Sequence, residues 1–223
     1  PWFVAATQAL ATPSRSAEYY PSESVFAYRR HSEHTSGGAQ IAGAMVIALR
    51  ELAQNDVRRF RALAQELAEV EALAVHRVLA QTYIAEPERY ASDIYAYITG
   101  DRRRLTVGEH NEASVRLFRI AFQHGTPEQR SVLEAMILGW WPSRERKEPR
   151  WMGEAQFAFL RGVPSDLLSD RAKDRVGCLR RKFDAYVPYQ PVRVTEFHTV
   201  GPPIDVQSQS RMTDEDWLTA MRY

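Results

Sequence analysis

The residues of this 223-residue chain best suited to chemistry lie near its start, where His31-Ser-Glu-His34 places two imidazoles and a carboxylate within four positions. Such a group could hold a metal ion. A zinc protease, however, uses two histidines four apart on one helical face together with a distant third ligand. The His31 and His34 spacing with Glu33 supplies neither, so a polar loop is expected. His76, His110, His124 and His198 stand alone in sequence, and each is expected at the surface or the edge of a core rather than in a catalytic pair. Arg102-Arg103-Arg104 follows Gly100-Asp101 and offers three guanidinium groups able to fork onto a phosphate. No aromatic platform flanks it, so the expectation is a solvated turn between helices.

Other chemistries find less support. Cys178 is the one cysteine, so no intramolecular disulfide is possible and a reducing compartment, the cytoplasm, is the simpler assumption. It falls in the helical pattern Val176, Cys178, Leu179, where thiols are commonly buried. Glu86 with Glu88, and Asp214 with Asp216, are placed at helix starts, where carboxylates favour the helix dipole. No glycines occur at i and i+2 and none precedes a lysine, so neither the dinucleotide fingerprint nor the phosphate loop exists in this segment. No catalytic, metal-binding or cofactor-binding residue is therefore assigned.

Charge narrows the partners. Residues 1–111 carry 12 basic and 13 acidic side chains, and residues 112–223 carry 17 and 15. Neither half is drawn to nucleic acid or to an anionic membrane. Only Lys147, Lys173 and Lys182 among the 29 cations are lysines, a bias read as coding composition rather than as phosphate forks. No apolar run approaches the length of a membrane span, and Trp2 to Leu10 lacks the preceding basic region of a signal peptide. A chain this long buries roughly 70% of its unfolded surface and needs no disulfide or structural metal. Pro1 in place of methionine and a helix closing at Tyr223 suggest a piece of a longer protein.

Helices must position whatever site exists. The twelve prolines leave gaps from 22 to 86 and from 88 to 126, inside which apolar residues recur at three and four positions, the helical period. Ile41, Met45, Leu49 and Leu52 form one stripe, and Val57, Phe60, Ala64 and Leu67 form the next after the Asn55-Asp56 cap signal; these two are expected to pair antiparallel. Val75, Val78, Leu79 and Thr82 follow, and with no breaker at Ala68 to Glu71 a continuous helix is possible there. Pro87 suits the first turn of a helix over 86–99 carrying Tyr90, Ile94 and Ile98. Val115, Phe118 and Phe122 mark another, ending at Gly125. Thr126-Pro127-Glu128-Gln129 is a capping box, opening a helix whose core face is Leu133, Met136, Ile137 and Trp140. A charged break at 141–149 precedes helices at 151–162 (Trp151, Ala155, Ala158, Phe159) and 168–185 (Leu168, Ala172, Val176, Leu179, Phe183).

Helix pairs thus begin near 39, 71, 111 and 151, a spacing on the order of 32 to 40 residues that falls in the range of helical solenoids. The expected fold is all-α, an α-solenoid-like stack of antiparallel helix pairs of the HEAT or TPR kind, read from lengths alone because no residue motif repeats, with a single irregular helical domain as the alternative. Residues 1–38 are expected to be irregular and 39–185 to form the helical-repeat domain. Residues 186–223 read as an extended linker, restricted by its prolines, plus a short capping helix. Trp140, Trp151, Phe183 and Trp217 are the expected structural anchors.

Four segments carry a family likeness: Arg150-Trp-Met-Gly-Glu-Ala-Gln-Phe157, Leu179-Arg-Arg-Lys-Phe183, Gly201-Pro-Pro-Ile204 and Met212-Thr-Asp-Glu-Asp-Trp-Leu-Thr-Ala-Met221. Their order resembles the helical-repeat region of large bacterial STAND (NACHT-like) ATP-binding proteins. In that family a phosphate-loop ATPase precedes a long repeat array, and many members are implicated in defence against phage. The resemblance implies a non-catalytic scaffold or ligand-sensing segment that needs no cofactor of its own. Its partners would be a protein ligand or neighbouring domains of the same chain. No catalytic residue carries over, because the nucleotide-binding motif is missing here. The competing readings are a small metal-assisted hydrolase using His31 and His34, and a weak nucleic-acid-binding domain using Arg102 to Arg104. Because the histidine loop lacks a third ligand at a recognised spacing, elemental analysis of purified protein is expected to find no stoichiometric zinc; one zinc per chain would favour the hydrolase.

Overall fold

The computed structural model describes residues 2–12, 14, 17–22 and 37–183. Among them lie ten α-helices and no strand: α1 Trp2–Leu10, α2 Gly37–Asn55, α3 Val57–Ala68, α4 Leu73–Ala85, α5 Ala91–Gly100, α6 Glu112–His124, α7 Pro127–Leu138, α8 Ser143–Lys147, α9 Glu154–Leu160 and α10 Asp170–Lys182. α4 packs against α1, α2, α3 and α6; α6 also packs against α5, α7 and α9, and α9 against α7 and α10. Burial follows that arrangement. Ala74, Val75, His76, Val78, Leu79, Ala80, Thr82 and Tyr83 are all buried, so α4 is covered nearly all round, as a central helix must be. Edge-on aromatic contacts knit the layers together, Phe60 on Tyr90 at 4.9 Å and Phe118 on Phe159 at 5.3 Å between ring centroids.

Local signals set several boundaries. The Asp56 side chain accepts from the Arg59 amide and starts α3. Both halves of the Thr126 and Gln129 capping box form, at 3.3 and 3.0 Å, and Ser169 caps α10. Phe60, Phe118 and Leu133 are fully buried.

Several expectations are corrected. The segment over 1–38 is not irregular throughout, since it contains α1. The possible continuous helix through Ala68 to Glu71 is broken: the Leu73 amide donates to Pro21, 52 positions earlier in the chain, and the Val70 carbonyl accepts from His76 instead of continuing the helix. The helix expected over 86–99 begins only at Ala91, and residues 87–90 form a turn. There Arg89 and the Tyr90 hydroxyl donate to the carbonyls that end α2, Ala53 and Gln54, a contact that outweighs the preference of Pro87 for a first helical turn. The break at 141–149 holds α8. The helix over 151–162 shortens to α9 and leaves Trp151 in a 3₁₀ turn. Trp151 and Phe183 are half-buried, whereas Trp140 is buried, and Cys178 is exposed rather than buried. Trp217, with the expected linker and capping helix, lies outside the described residues, as do His31 and His34.

Two helix starts are capped from a distance. The buried Glu145 carboxylate accepts from the Gly153 and Ala155 amides at 2.6 and 2.7 Å, fixing the start of α9. Glu134 on α7 accepts from the amide and hydroxyl of Ser169, fixing the start of α10. Removing the Glu145 carboxylate strands two buried amides, each costing about 1–3 kcal/mol. Urea unfolding of Glu145→Ala is therefore expected to show a loss of about 3 kcal/mol, against about 1 kcal/mol for Thr126→Ala, whose cap is exposed. Equal losses would mean that the distant cap adds nothing beyond a local one.

Candidate functional site

The arginine run is where sequence and structure differ most. Residues Arg102–Thr106 form a 3₁₀ turn capped by Asp101, which accepts from the Arg103 amide at 2.8 Å. It is not a solvated turn. The Arg104 side chain is only 8% exposed and donates to the carbonyls of Tyr97 at 2.9 Å and Ala68 at 2.7 Å, with its guanidinium 4.8 Å above the Tyr97 ring. Arg103 forks onto Glu71 at 2.6 and 2.7 Å, and also bonds Asp101 at 2.8 Å. Its guanidinium lies 4.4 Å above Tyr20. Arg102 alone of the three points out, exposed and without an ion-pair partner among the described residues.

His76, expected at the surface or a core edge, is fully buried. Its Nε2 lies 2.9 Å from the Val70 carbonyl, which can only accept, so Nε2 carries the proton. Nδ1 then accepts from the Tyr97 hydroxyl at 2.9 Å. Tyr20 stacks on the imidazole at 3.8 Å and donates its hydroxyl to Asp101 at 2.8 Å. Burial, reinforced by the nearby Arg104 charge, pushes the His76 pKa down to about 4, against the opposing Val70 bond. Both ring nitrogens are occupied, so this histidine orients the core and has no free nitrogen to offer a substrate.

The surface over this network carries the candidate site. Ala17, Glu18, Arg102, Arg103, Trp140, Trp141 and Arg146 line a cleft of about 140 Å³. Glu18 accepts from the Ser143 amide at 2.8 Å and from Arg146 at 2.7 Å. Burial opposes its ionisation, but these bonds prevail and hold its carboxyl below the usual range. Arg146 also donates to the Trp141 carbonyl, and Arg175 covers the Trp141 ring at 5.3 Å. Nearby in sequence, Trp151 carries Arg144 and Arg150 against its ring.

Of the residues singled out from sequence, the structure brings Arg102, Arg103 and Trp140 to one cleft. Glu18, Tyr20 and Glu71 were missed, because they reach their partners across 125, 81 and 32 positions respectively. Asp101 had a readable signal, since an aspartate after Gly100 and before a helical turn is a cap. Among the described residues no three His, Cys, Asp or Glu side chains gather as metal ligands, and no helix is long and apolar enough to cross a membrane. Comparison with known proteins returns no family model, no curated protein and no solved structure that matches this chain.

His76 sets a pH dependence. Its folded pKa of about 4 lies below the ordinary value of 6.5, so the stability it confers is complete above pH 6.5 and is lost as pH falls toward 4. The loss amounts to about 3 kcal/mol. Asp101, whose pKa is held down to about 2 despite burial by its bonds from Arg103 and Tyr20, weakens the fold only in a lower window. Unfolding of His76→Gln is expected to start from lower stability but to lack the decline between pH 6.5 and 4; an unchanged pH slope would exclude His76 as its source.

Proposed function

We propose that this chain is a non-catalytic helical scaffold, a solenoid-like stack of antiparallel helix pairs, that recognises a protein ligand or a neighbouring domain of its own polypeptide at the arginine and tryptophan cleft. The observation that carries this reading is the division of labour within the arginine run. Arg103 and Arg104 are committed to the core network, while Arg102 is left exposed beside Trp141. Arginine and tryptophan are the residues that most often dominate protein interfaces, because each combines a broad flat face with directional donors. The solenoid part draws support from packing between helices close in sequence, α3 with α4, α5 with α6, α6 with α7 and α9 with α10. The single thiol favours a reducing, cytoplasmic setting.

Membership of a larger ATP-binding protein of the STAND kind is a further part of the proposal, resting on the C-terminal segments quoted above. A phosphate-loop motif encoded upstream of Pro1 would support it. The recognition role is tested by placing a photo-cross-linking phenylalanine analogue at position 102 and, as a control, at exposed position 58 on α3. A defined protein adduct at 102 and none at 58 is expected. Nucleic-acid adducts at 102, or equal labelling at both positions, would overturn the reading.

A further inference from the structure

We propose that Glu18 is an internal stand-in for an acidic side chain of a partner, and that the cleft binds an acidic peptide segment when Glu18 leaves it. This rests on the protein-recognition reading and specifies its ligand. The cleft already holds a carboxylate: Glu18 arrives from far along the chain and is gripped by Arg146 and the Ser143 amide. The ion pair in that grip lies at the surface, with 58% of the Arg146 side chain and 26% of the Glu18 side chain open to solvent, while the Ser143 bond is partly buried. Exposed ion pairs contribute little net stability, so an external carboxylate can take over the same donors at small cost.

Residues 20–22 do not depend on this contact. Tyr20 is buried, stacked on His76 and bonded to Asp101, the Pro21 carbonyl accepts from the Leu73 amide, and Ser22 pairs with Thr12. Glu18 can therefore let go while residues 20–22 stay docked. Its departure frees Nη2 of Arg146 beside Arg102, while Nη1 stays on the Trp141 carbonyl and Arg103 stays neutralised by Glu71 and Asp101. Two guanidinium groups flanked by Trp140 and Trp141 then face the ligand. That arrangement suits a carboxylate side chain with an apolar neighbour. The narrow volume and the balanced charge of the chain favour such a peptide over a nucleic acid, which needs a long basic track.

The experiment uses the full chain and a fluorescein-labelled, end-capped poly-glutamate peptide, read by anisotropy, with a poly-glutamine peptide and a single-stranded oligonucleotide as comparators. Glu18→Gln removes the competing charge and is expected to tighten poly-glutamate binding roughly fivefold, because it raises the fraction of chains with an open cleft. Arg102→Gln and Arg146→Gln, each placed in the Glu18→Gln background, are expected to abolish that gain, and Arg58→Gln to preserve it. Circular dichroism confirms that each variant is folded. Equal affinity of wild type and Glu18→Gln, a gain that survives either arginine substitution, or a preference for the oligonucleotide would each overturn the proposal. If the peptide fails to bind while position 102 still cross-links to a protein, only the acidic-ligand inference falls; if that cross-link is absent, the recognition reading falls as well.

Discussion

Arg104 brings a guanidinium into the core, and a buried charge persists only where the groups around it answer its donors. The carbonyls of Ala68 and Tyr97 answer its two terminal nitrogens, while its Nε is buried without a hydrogen-bond partner among the described residues. Ala68 is the last residue of α3 and Tyr97 lies in the final turns of α5, so one side chain ties together two helix ends, which present unpaired carbonyls by their nature. The charge has a second effect. It disfavours protonation of His76, which is needed neutral if it is to donate to Val70 and accept from Tyr97 at once. Tyr20, Asp101 and the turn between α3 and α4 lie in the same network, joined through His76 and Arg103.

The same solution recurs throughout the fold. Helix ends that local capping leaves open are closed by side chains from elsewhere: Glu145 at the start of α9, Glu134 at the start of α10, and Arg89 with Tyr90 at the end of α2. Short helices leave a large share of their backbone groups unpaired, and a chain built of helices of 5 to 19 residues carries many such ends. Charged side chains near the core are used mainly to satisfy backbone. Glu134 and Glu145 are the buried carboxylates among the described residues, and both are used in this way.

Arginine suits this role better than lysine. Its planar fork reaches two carbonyls, or a carboxylate and a ring face, at the same time. Arg103 does this between Glu71, Asp101 and Tyr20. The scarcity of lysine, read from sequence as coding composition, therefore has structural use wherever a guanidinium bridges helices.

The helical class, the stripes of α2, α3, α6 and α10, and the starts of α3 and α7 were all legible in the amino-acid order. Those features depend on residues within a turn or two of one another, as with Asp56 and Arg59 or Thr126 and Gln129. Arg102, Arg103 and Trp140 were also legible as residues of interest, though not as neighbours. Other features were set by partners far along the chain. The break before α4 depends on Pro21, the late start of α5 on the carbonyls ending α2, the burial of Arg104 on Ala68, and the cleft on Glu18 meeting Arg146. Periodicity cannot report these, because a local pattern records which face of a helix is apolar but not which distant donor or acceptor will compete for its ends.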